Sequence, residues 1–383
     1  MSVTAAAGFV AGGVAAGLKA SGKPDVALVV NEGPDFVAAG VFTSNRIKAA
    51  PVLWSQQVLA DGELRAVALN SGGANACTGP DGFADTHHSA EYVADLLGCG
   101  AGEVAICSTG LIGERLPMDK LFAGFDATTE SLSPDGGLAA AEAILTTDTR
   151  SKTAVSAGED FTIGGMAKGA GMLAPGLATM LVVITTDALV DAATADAALR
   201  EAVRTTFDRL DSDGCMSTND TVLLLANGAS GARPGADDFT EHLHAVCAQL
   251  ARELISDAEG ASKEIRIDVE SAQTEDDAMT VARAISRSNL FKCAIHGEDP
   301  NWGRVISAAG TTSAEFEADQ IAVAINGVWV CRNGSVGVDR NLVDMSGRDV
   351  TITVALNAGK HTATLWTNDL TAAYVHENSA YST

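Results

Sequence analysis

The chain has 383 residues, 46% hydrophobic and 19% charged, a composition typical of a folded protein with two domains or one large two-lobed body. Its 49 acidic and 25 basic residues give a formal net charge of −24, which disfavours binding to nucleic acid phosphates and to anionic membranes. No apolar run approaches the roughly 20 residues needed to span a bilayer, and the N-terminus lacks a signal-peptide pattern. We therefore expect a cytoplasmic protein that binds neither nucleic acid nor membrane.

The cysteines and histidines give no sign of a disulfide framework or of a metal site. The seven cysteines are odd in number and form no CxxC pair, so free buried thiols in a reducing compartment are the simplest interpretation. The seven histidines show no HExxH motif or other paired metal-ligand spacing. We therefore expect neither a metal ion nor another bound cofactor.

The first half of the chain reads as strands and helices joined by glycine-rich loops, after an Ala- and Gly-rich stretch over residues 3–22. Apolar, β-prone runs predict strands, and apolar residues recurring at three and four predict helices. Strands are expected at residues 25–30, 37–43, 64–69 and 103–107, and helices at 81–97 and 136–145. The strand over 64–69 runs into residues 70–79, a loop of small residues whose backbone N–H groups can approach a ligand or another chain.

The strand over 103–107 ends in Ser108-Thr109-Gly110, which presents a hydroxyl and a backbone N–H at one point. These are the two donors that stabilise the charge developing on a carbonyl oxygen during acyl transfer, so Thr109 and Gly110 are candidates for an oxyanion hole. The alternative is an ordinary strand-to-helix turn, with Pro117 near the start of the next helix. From these residues alone both interpretations stay open.

Near the middle of the chain a glycine-rich loop meets a buried strand. The strand expected at 161–167 leads into a stretch rich in glycine that also contains Pro175, a composition that neither a helix nor a central strand accommodates. The apolar run over 180–184 then predicts a buried strand, with Thr179 at the junction.

A threonine that follows a small residue at such a junction is where an N-terminal-nucleophile enzyme would cut itself. The Thr179 hydroxyl would attack the carbonyl carbon of Ala178, and water would then release the ester. The new α-amine of Thr179, with a reference pKa of about 7.7–8.0, could serve as the base for its own hydroxyl. The alternative is a core strand that merely begins at Thr179.

The second half continues with elements of the same kinds. Helices are expected at residues 192–210, 237–257 and 274–285, and strands at 222–225, 265–269, 321–332, 350–356 and 362–366. The polar run over 217–221 precedes a buried strand, so its hydroxyl and amide groups should be satisfied inward. Glu259 follows the helix over 237–257, where a carboxylate opposes the macrodipole, so it is either functional or a solvated surface group.

Two segments near the C-terminus complete the pattern. Asp299-Pro300-Asn301-Trp302-Gly303-Arg304 has the composition of a loop, in which the proline fixes a turn and the tryptophan and arginine can act as a unit. The tail over 374–383 is aromatic and polar without glycine or proline, so we expect it to dock rather than to fray.

These motifs resemble those of the ornithine acetyltransferase family, the bifunctional glutamate N-acetyltransferases of arginine biosynthesis. The segments that carry the resemblance are residues 42–45, 70–75, 108–110, 168–181, 257–263, 299–305 and 374–381. The resemblance implies a layered α/β (α+β) sandwich, two-lobed and self-processed, of the N-terminal-nucleophile type. It also implies cleavage between Ala178 and Thr179 into fragments 1–178 and 179–383, which stay together as an α2β2 assembly.

The resemblance further assigns roles to the matching residues. Thr179 would be the nucleophile that carries the acetyl group from N2-acetylornithine to glutamate, with Thr109 and Gly110 as the oxyanion hole. The residues implied to contact substrate are Thr147, Lys168, Thr179, Glu259, Asn378 and Thr383.

By charge, Lys168 suits the α-carboxylate of either amino acid, and Glu259 suits an ammonium group. Lys168 could instead lower the pKa of the Thr179 amine. The residues leave open whether acetyl-CoA serves as a second acetyl donor.

Two other functions are compatible with parts of this pattern. A related self-processed threonine aminopeptidase or amidase would hydrolyse the acyl-enzyme, whereas the run over 299–304 favours the transferase. An unprocessed scaffold or small-molecule-binding protein would give one band on a denaturing gel, where the enzyme hypotheses require two.

Overall fold

The structure is a computed structural model that describes residues 2–174 and 180–380. These residues form two compact units. The first unit comprises residues 2–172, 180–208 and 215–257, and the second comprises residues 173–174, 209–214 and 258–380. The expected fragments 1–178 and 179–383 have a different boundary, because the first unit takes residues from both sides of the predicted cut.

The described part of the first unit contains a four-stranded and a five-stranded β-sheet. Its strands are β1 (Phe9–Val14), β2 (Val26–Asn31), β3 (Val37–Phe42), β4 (Ala66–Asn70), β5 (Val104–Ser108), β6 (Lys152–Ala157), β7 (Thr162–Lys168), β8 (Leu181–Thr186) and β9 (Thr221–Ala226). The four-stranded sheet has the order β1-β2-β4-β5, and the five-stranded sheet has the order β3-β9-β8-β7-β6. The β4–β5 and β8–β9 pairs are parallel, and the other neighbours are antiparallel.

Helices cover these sheets. They are α1 (Ala50–Val58), α2 (Gly79–Leu97), α3 (Met118–Glu130), α4 (Gly137–Ala143), α5 (Ala192–Thr205) and α6 (Ala236–Ser256). Gly98, in the left-handed conformation, caps the C-terminus of α2. Asp191 caps the N-terminus of α5, where its carboxylate accepts the N–H of Thr194. Helices α5 and α6 pack on the five-stranded sheet, and one cluster of buried apolar side chains draws on both sheets. The predicted layered α/β fold is therefore confirmed.

The second unit is built on a six-stranded sheet with the order β13-β12-β11-β14-β10-β15. Its strands are β10 (Glu264–Ala272), β11 (Ala322–Ile325), β12 (Val328–Arg332), β13 (Ser335–Val336), β14 (Asp349–Ala355) and β15 (His361–Asn368). Its helices are α7 (Glu275–Ser286), α8 (Asn289–His296), α9 (Trp302–Ala309) and α10 (Ala372–Ala380). Thr274 caps α7 by accepting the N–H of Asp277, and helices α7, α8 and α9 contribute to an apolar core with the sheet.

Several elements differ from the sequence prediction. Strands β1 and β6 and helix α8 were not predicted, and α5 ends at Thr205, because residues 207–209 form a separate 3-10 turn. The run over 299–304 was read as a loop, which is wrong for its second half, since α9 begins at Trp302.

All seven cysteines lie among the described residues and none is bridged, as predicted. Cys107, Cys247 and Cys331 are buried, whereas the other four are exposed or half-buried, so the expectation of burial holds only in part. In the described part of the chain no helix is both long and apolar enough to cross a bilayer.

Candidate active site

Thr109 and Gly110 lie where β5 ends, beside the loop that follows β4. The Thr109 N–H donates to the Asn70 carbonyl oxygen at 3.0 Å, which joins the residue after β5 to the last residue of β4. Gly110 has a φ of +136°, and a Cβ there would lie 2.8 Å from both Cα and N of Gly73. Only glycine fits this position. The close approach to Gly73 and the hydrogen bond to Asn70 together fix the backbone that carries the two predicted donors.

Lys168, the last residue of β7, reaches the Thr109 side chain. Its Nζ lies 3.2 Å from the Thr109 Oγ1, and both residues are buried. Because an ammonium group only donates, the Thr109 oxygen accepts here, and the hydroxyl proton can be directed to another acceptor. A cation bonded to the hydroxyl oxygen polarises the O–H group, which makes it a stronger donor.

Asp148 anchors the chain immediately after Lys168. Its Oδ1 accepts the N–H of Gly169 at 2.6 Å and the Lys152 ammonium at 2.6 Å. The Lys152 ammonium also binds the Asp257 carboxylate at 2.6 Å, and its side chain is fully buried. Burial by itself would raise the pKa of Asp148, but the charges of Lys168 and Lys152 and these hydrogen bonds lower it to about 2. Asp148 is therefore charged at neutral pH.

Thr147 lies in the same turn as Asp148 and is half-buried. The turn is held from within, because the Thr146 N–H donates to the Asp148 Oδ2 at 3.0 Å. It is also held from outside, because the Lys19 ammonium donates to the Leu145 carbonyl oxygen at 2.6 Å. Burial lowers the pKa of Lys19 to about 8, although Asp25 opposes the shift.

Asp220 holds Met180, the residue that precedes β8 in the chain. Its Oδ1 accepts the N–H of Met180 at 3.0 Å, and the Met180 carbonyl oxygen accepts the N–H of Thr221 at 3.1 Å. Asp220 is fully buried. Burial raises its pKa well above the usual range, and the hydrogen bond from Met180 and the charge of Lys168 offset this only in part.

Asn219 connects the same segment to the end of β5. Its Nδ2 donates to the Ser108 carbonyl oxygen at 2.8 Å and to the Ala74 carbonyl oxygen at 2.6 Å. Ser108 immediately precedes Thr109, so the amide of Asn219 fixes the backbone that leads into the candidate oxyanion hole.

In the second unit, Glu259 and Asn378 form a pair. The Asn378 Nδ2 donates to the Glu259 Oε2 at 3.0 Å, which joins helix α10 to the turn after α6. The helix lies so close to this turn that a Cβ on Gly260 would be 2.3 Å from the backbone N of Tyr374. The tail is thus docked at its start, but its outer face, including Asn378, is exposed.

Three predicted residues, Ala178, Thr179 and Thr383, lie outside the described residues. Of the others, the structure brings Thr109, Gly110 and Lys168 together in the first unit, with Thr147 in the turn beside Asp148, whose pKa the charge of Lys168 lowers. It pairs Glu259 with Asn378 in the second unit. The assigned role of each residue stays a prediction.

Sequence reasoning missed four residues that hold this site: Lys152, Asp148, Asn219 and Asp220. The last two belong to the run over 217–221, whose inward orientation was predicted and is confirmed, since all five residues are buried. Their individual partners could not be read from the run. Asp148 pairs with Lys152, four residues further along the chain, and only the fold brings Asp257 to the same ammonium group. Within the described residues no cluster of His, Cys, Asp or Glu is arranged to hold a metal ion.

Comparison with known proteins identifies relatives over the full length of the chain. The sequence model of the ArgJ family matches residues 10–383. The chain is 67% identical over 382 residues to "Arginine biosynthesis bifunctional protein ArgJ" from Streptomyces coelicolor, and 63% identical over 383 residues to the protein of the same name from Thermobifida fusca, with complete coverage of each chain. A solved structure of ornithine acetyltransferase complexed with ornithine, from Mycobacterium tuberculosis, is 61% identical, covers 47% of this chain and 96% of that chain, and gives a TM-score of 0.45.

Proposed function

Because the chain belongs to the ArgJ family, as its motifs predicted, we propose that it is a glutamate N-acetyltransferase of arginine biosynthesis. It moves the acetyl group of N2-acetylornithine to glutamate and releases ornithine and N-acetylglutamate. The observation that best supports this chemistry is the Lys168–Thr109 hydrogen bond beside Gly110, which prepares a hydroxyl and a backbone N–H as adjacent donors.

The enzyme first cuts its own chain. The Thr179 hydroxyl attacks the Ala178 carbonyl carbon, the C–N bond breaks, and the proton of the hydroxyl passes to the departing nitrogen. Water hydrolyses the resulting ester, which leaves a carboxylate on Ala178 and a free amine and hydroxyl on Thr179. Strands β7 and β8 are antiparallel neighbours in one sheet, with Lys168 opposite Leu181, so the two fragments share a hydrogen-bonded sheet after the cut. This sharing supports an assembly in which both fragments stay together, and the pairing of two such assemblies into α2β2 is what the family resemblance implies.

Acetyl transfer then proceeds in two steps. The Thr179 hydroxyl attacks the acetyl carbon of N2-acetylornithine, and its proton passes to the Thr179 amine and then to the departing ornithine nitrogen. The Thr109 hydroxyl and the Gly110 N–H donate to the oxyanion, and Lys168 strengthens the first of these donors. In the second step the amine of glutamate attacks the acetyl ester, and the Thr179 hydroxyl is regenerated.

Substrate recognition is assigned to the remaining predicted residues. Thr147 lies in the turn fixed by Asp148, so its hydroxyl is held in place for a substrate group. Glu259 offers a carboxylate to a substrate ammonium group, and Asn378 orients that carboxylate through their 3.0 Å hydrogen bond. Thr383 would supply a further contact from the tail.

Self-cleavage tests the proposal directly. The purified protein should give two bands on a denaturing gel. N-terminal sequencing of the fragment 179–383 should read Thr-Met-Leu-Val. Thr179→Ala should remain one intact, inactive chain, whereas Thr179→Ser should still cut, more slowly. An intact and fully active Thr179→Ala protein would show that Thr179 is not the nucleophile and that activity does not require cleavage.

The covalent intermediate separates the transferase from a hydrolase. N2-acetylornithine alone should add about 42 Da to the fragment 179–383, because the ester waits for an amine, and glutamate should discharge it. Initial rates should give parallel double-reciprocal lines. Rapid loss of the acetyl group to water, at a rate that glutamate does not increase, would instead indicate the aminopeptidase or amidase.

A second acetyl donor is suggested by the relatives, which are named bifunctional. We propose that acetyl-CoA also acetylates Thr179 and so supplies N-acetylglutamate without N2-acetylornithine. Glutamate incubated with acetyl-CoA and the enzyme should then yield N-acetylglutamate, and Thr179→Ala should abolish this product. Absence of product with the wild-type enzyme would restrict the activity to the transfer from N2-acetylornithine.

A further inference from the structure

The run over 217–221 is buried throughout, although the proposed chemistry gives it no role. It is tied to the residue after β3 in two ways. The Thr43 N–H donates to the Asp220 carbonyl oxygen at 2.9 Å, and the Thr43 hydroxyl donates to the Ser217 carbonyl oxygen at 2.7 Å. The backbone of the run is therefore fixed, and its side chains can hold other segments in place.

Asp220 and Thr221 fix Met180 on both sides. The Met180 N–H donates to the Asp220 carboxyl group, and its carbonyl oxygen accepts from the Thr221 backbone. The amide nitrogen of Met180 is covalently bonded to the carbonyl carbon of Thr179. Asp220 and Thr221 therefore fix the described residue that directly follows the proposed nucleophile in the chain.

Asn219 points to the other half of the chemistry. Its amide donates to the carbonyl oxygens of Ser108, in the segment that forms the candidate oxyanion hole, and of Ala74, in the neighbouring loop after β4. Asn219 and Asp220 are adjacent in the chain, and their side chains bond different segments, the end of β5 and the residue before β8.

The surroundings of Asp220 favour the uncharged form of its carboxyl group. Burial raises its pKa well above the usual range, against the opposing effects of Met180, Lys168 and the hydroxyls of Thr43 and Ser217. Among the described residues none makes a hydrogen bond to its Oδ2. An ionised carboxyl group with one oxygen buried and unpaired would be very costly, whereas a neutral one still offers Oδ1 to the Met180 N–H.

We propose that Asn219 and Asp220 are a pair of positioning residues that hold the oxyanion loop, residues 108–110, and the strand after the nucleophile in register. Asn219 fixes the loop through Ser108, and Asp220 fixes the strand through Met180. The inference rests on the proposed function, since it takes Thr179 as the nucleophile. It adds two residues that touch neither substrate nor the reacting atoms.

Asp220→Asn and Asp220→Leu provide a matched pair of variants. All three side chains are similar in size, but only aspartic acid and asparagine offer an acceptor oxygen to the Met180 N–H. Asp220→Asn should cut itself and retain kcat within about 10-fold, because the acceptor is kept. Asp220→Leu should lower kcat by about 10²-fold, the loss typical of a small misplacement of reacting groups, with KM within about 3-fold of wild type.

The Asp220 variants also separate the possible failures. Equal losses in Asp220→Asn and Asp220→Leu would show that a charged carboxylate is required, which overturns the proposal, as would wild-type kcat in Asp220→Leu. If Asp220→Leu does not fold, an uncut or inactive Asp220→Asn is by itself sufficient to reject the idea. A wild-type chain that neither cuts nor transfers acetyl groups would instead reject the proposed function.

Asn219→Ala tests the other side of the pair. It removes both donors, and it should lower kcat by roughly 10-fold or more while KM changes little, because the oxyanion loop loses its fixed position and substrate contacts remain. A change confined to KM would assign Asn219 to substrate binding and would contradict the positioning role. Asp211→Asn, which alters a buried carboxyl group paired with Arg287 in the second unit, is the control for general loss of stability.

Discussion

The turn around Asp148 and the run around Asp220 both bury a carboxyl group in the first unit, yet the pKa values of the two groups shift in opposite directions. Asp148 lies at hydrogen-bond distance from the Lys152 ammonium and near Lys168, and its pKa falls to about 2. Asp220 is buried at least as deeply, but the charge of Lys168 alone does not offset the loss of water, and its pKa rises. Burial alone therefore does not decide the charge of a carboxyl group; the number and proximity of cations do.

The difference suits the two groups to different tasks. Asp148 is an ionic anchor that holds the Gly169 N–H at the start of the glycine-rich loop. Asp220 is an anchor with a raised pKa that holds the Met180 N–H just before β8. In the chain, the segment 170–179 thus follows an anchor whose pKa is lowered and precedes one whose pKa is raised.

The largest effect should come from removing the charge of Asp148. Asp148→Asn leaves Lys152 and Lys168 buried with less compensation, so the free energy of unfolding should fall by about 3–5 kcal/mol, the usual result of breaking a buried ion pair. Asp220→Asn should cost less than Asp148→Asn, because burial favours the neutral form of Asp220 and asparagine keeps an acceptor oxygen for the Met180 N–H. Urea unfolding in the uncut Thr179→Ala background measures both changes, and equal costs would remove the contrast.

The next largest effect should come from removing the Thr109 hydroxyl, which accepts a hydrogen bond from the Lys168 ammonium. Thr109→Val removes one oxyanion donor, so kcat should fall by roughly 10²–10³-fold with KM nearly unchanged. Thr109→Ser keeps the hydroxyl and is the control. A loss mainly in KM would show that Thr109 binds substrate instead.

The same donor can be tested through Lys168. If Lys168 acts by polarising the Thr109 hydroxyl, the losses in kcat from Lys168→Met and Thr109→Val should not add in the double variant, because both remove the same interaction. Fully additive losses would separate Lys168 from Thr109 and would favour its alternative role as a ligand of a substrate carboxylate.

Much of the fold was predictable from local patterns, and the elements that the prediction missed have identifiable physical causes. The buried strands β2, β3 and β8 and helices α2, α6 and α7 follow directly from apolar periodicity and caps. Strand β1 was missed because its glycines lower β-propensity. Their reason is tertiary: a Cβ on Gly13 would lie 2.2 Å from the Ala139 carbonyl oxygen, so α4 can pack on β1 only over glycine.

The site was predictable only in part, because its contacts join residues that are far apart in the chain. Motif resemblance gave Thr109 and Lys168, but nothing local indicated that they form a hydrogen bond across 59 positions. The ion pair between Lys152 and Asp257 spans 105 positions and requires both β6 and the end of α6. Asp220 was expected to be satisfied inward, whereas its protonation state depends on how many cations the fold brings near it.

The pH dependence of stability should distinguish the two anchors in sign. Asp148 has a folded pKa of about 2 against an ordinary 3.8, so it contributes roughly 2 kcal/mol above pH 3.8, and this is lost as pH falls through about 2. Asp220 has a raised folded pKa, so its contribution is present below 3.8 and is lost as pH rises toward that folded pKa.

The two Asn variants make this difference measurable. In the Thr179→Ala background, the stability advantage of the parent over Asp148→Asn should grow as pH rises from about 2 to 4 and should then stay constant. The stability of Asp220→Asn relative to the parent should improve as pH rises above about 4. Expressed as the stability of the parent minus that of each variant, the difference for Asp148→Asn should rise with pH and the difference for Asp220→Asn should fall. Urea unfolding from about pH 2 to above pH 4 measures both differences, and two differences that change in the same direction would contradict the opposite pKa shifts.

The smallest effect is expected where a carboxylate is paired at the surface. Asn378→Ala removes the 3.0 Å hydrogen bond to Glu259 on an exposed face of α10, where water replaces the lost donor, so the free energy of unfolding should change by less than about 1 kcal/mol. KM should nevertheless rise a few-fold with kcat unchanged, because Glu259 is no longer oriented toward the substrate ammonium. Ser379→Ala is the control on the same helix. The Ser379 hydroxyl donates to the His376 carbonyl oxygen within α10, so its removal should leave KM unaffected. If both variants raise KM equally, the helix as a whole influences the site, and the Glu259–Asn378 pair has no separate role in binding.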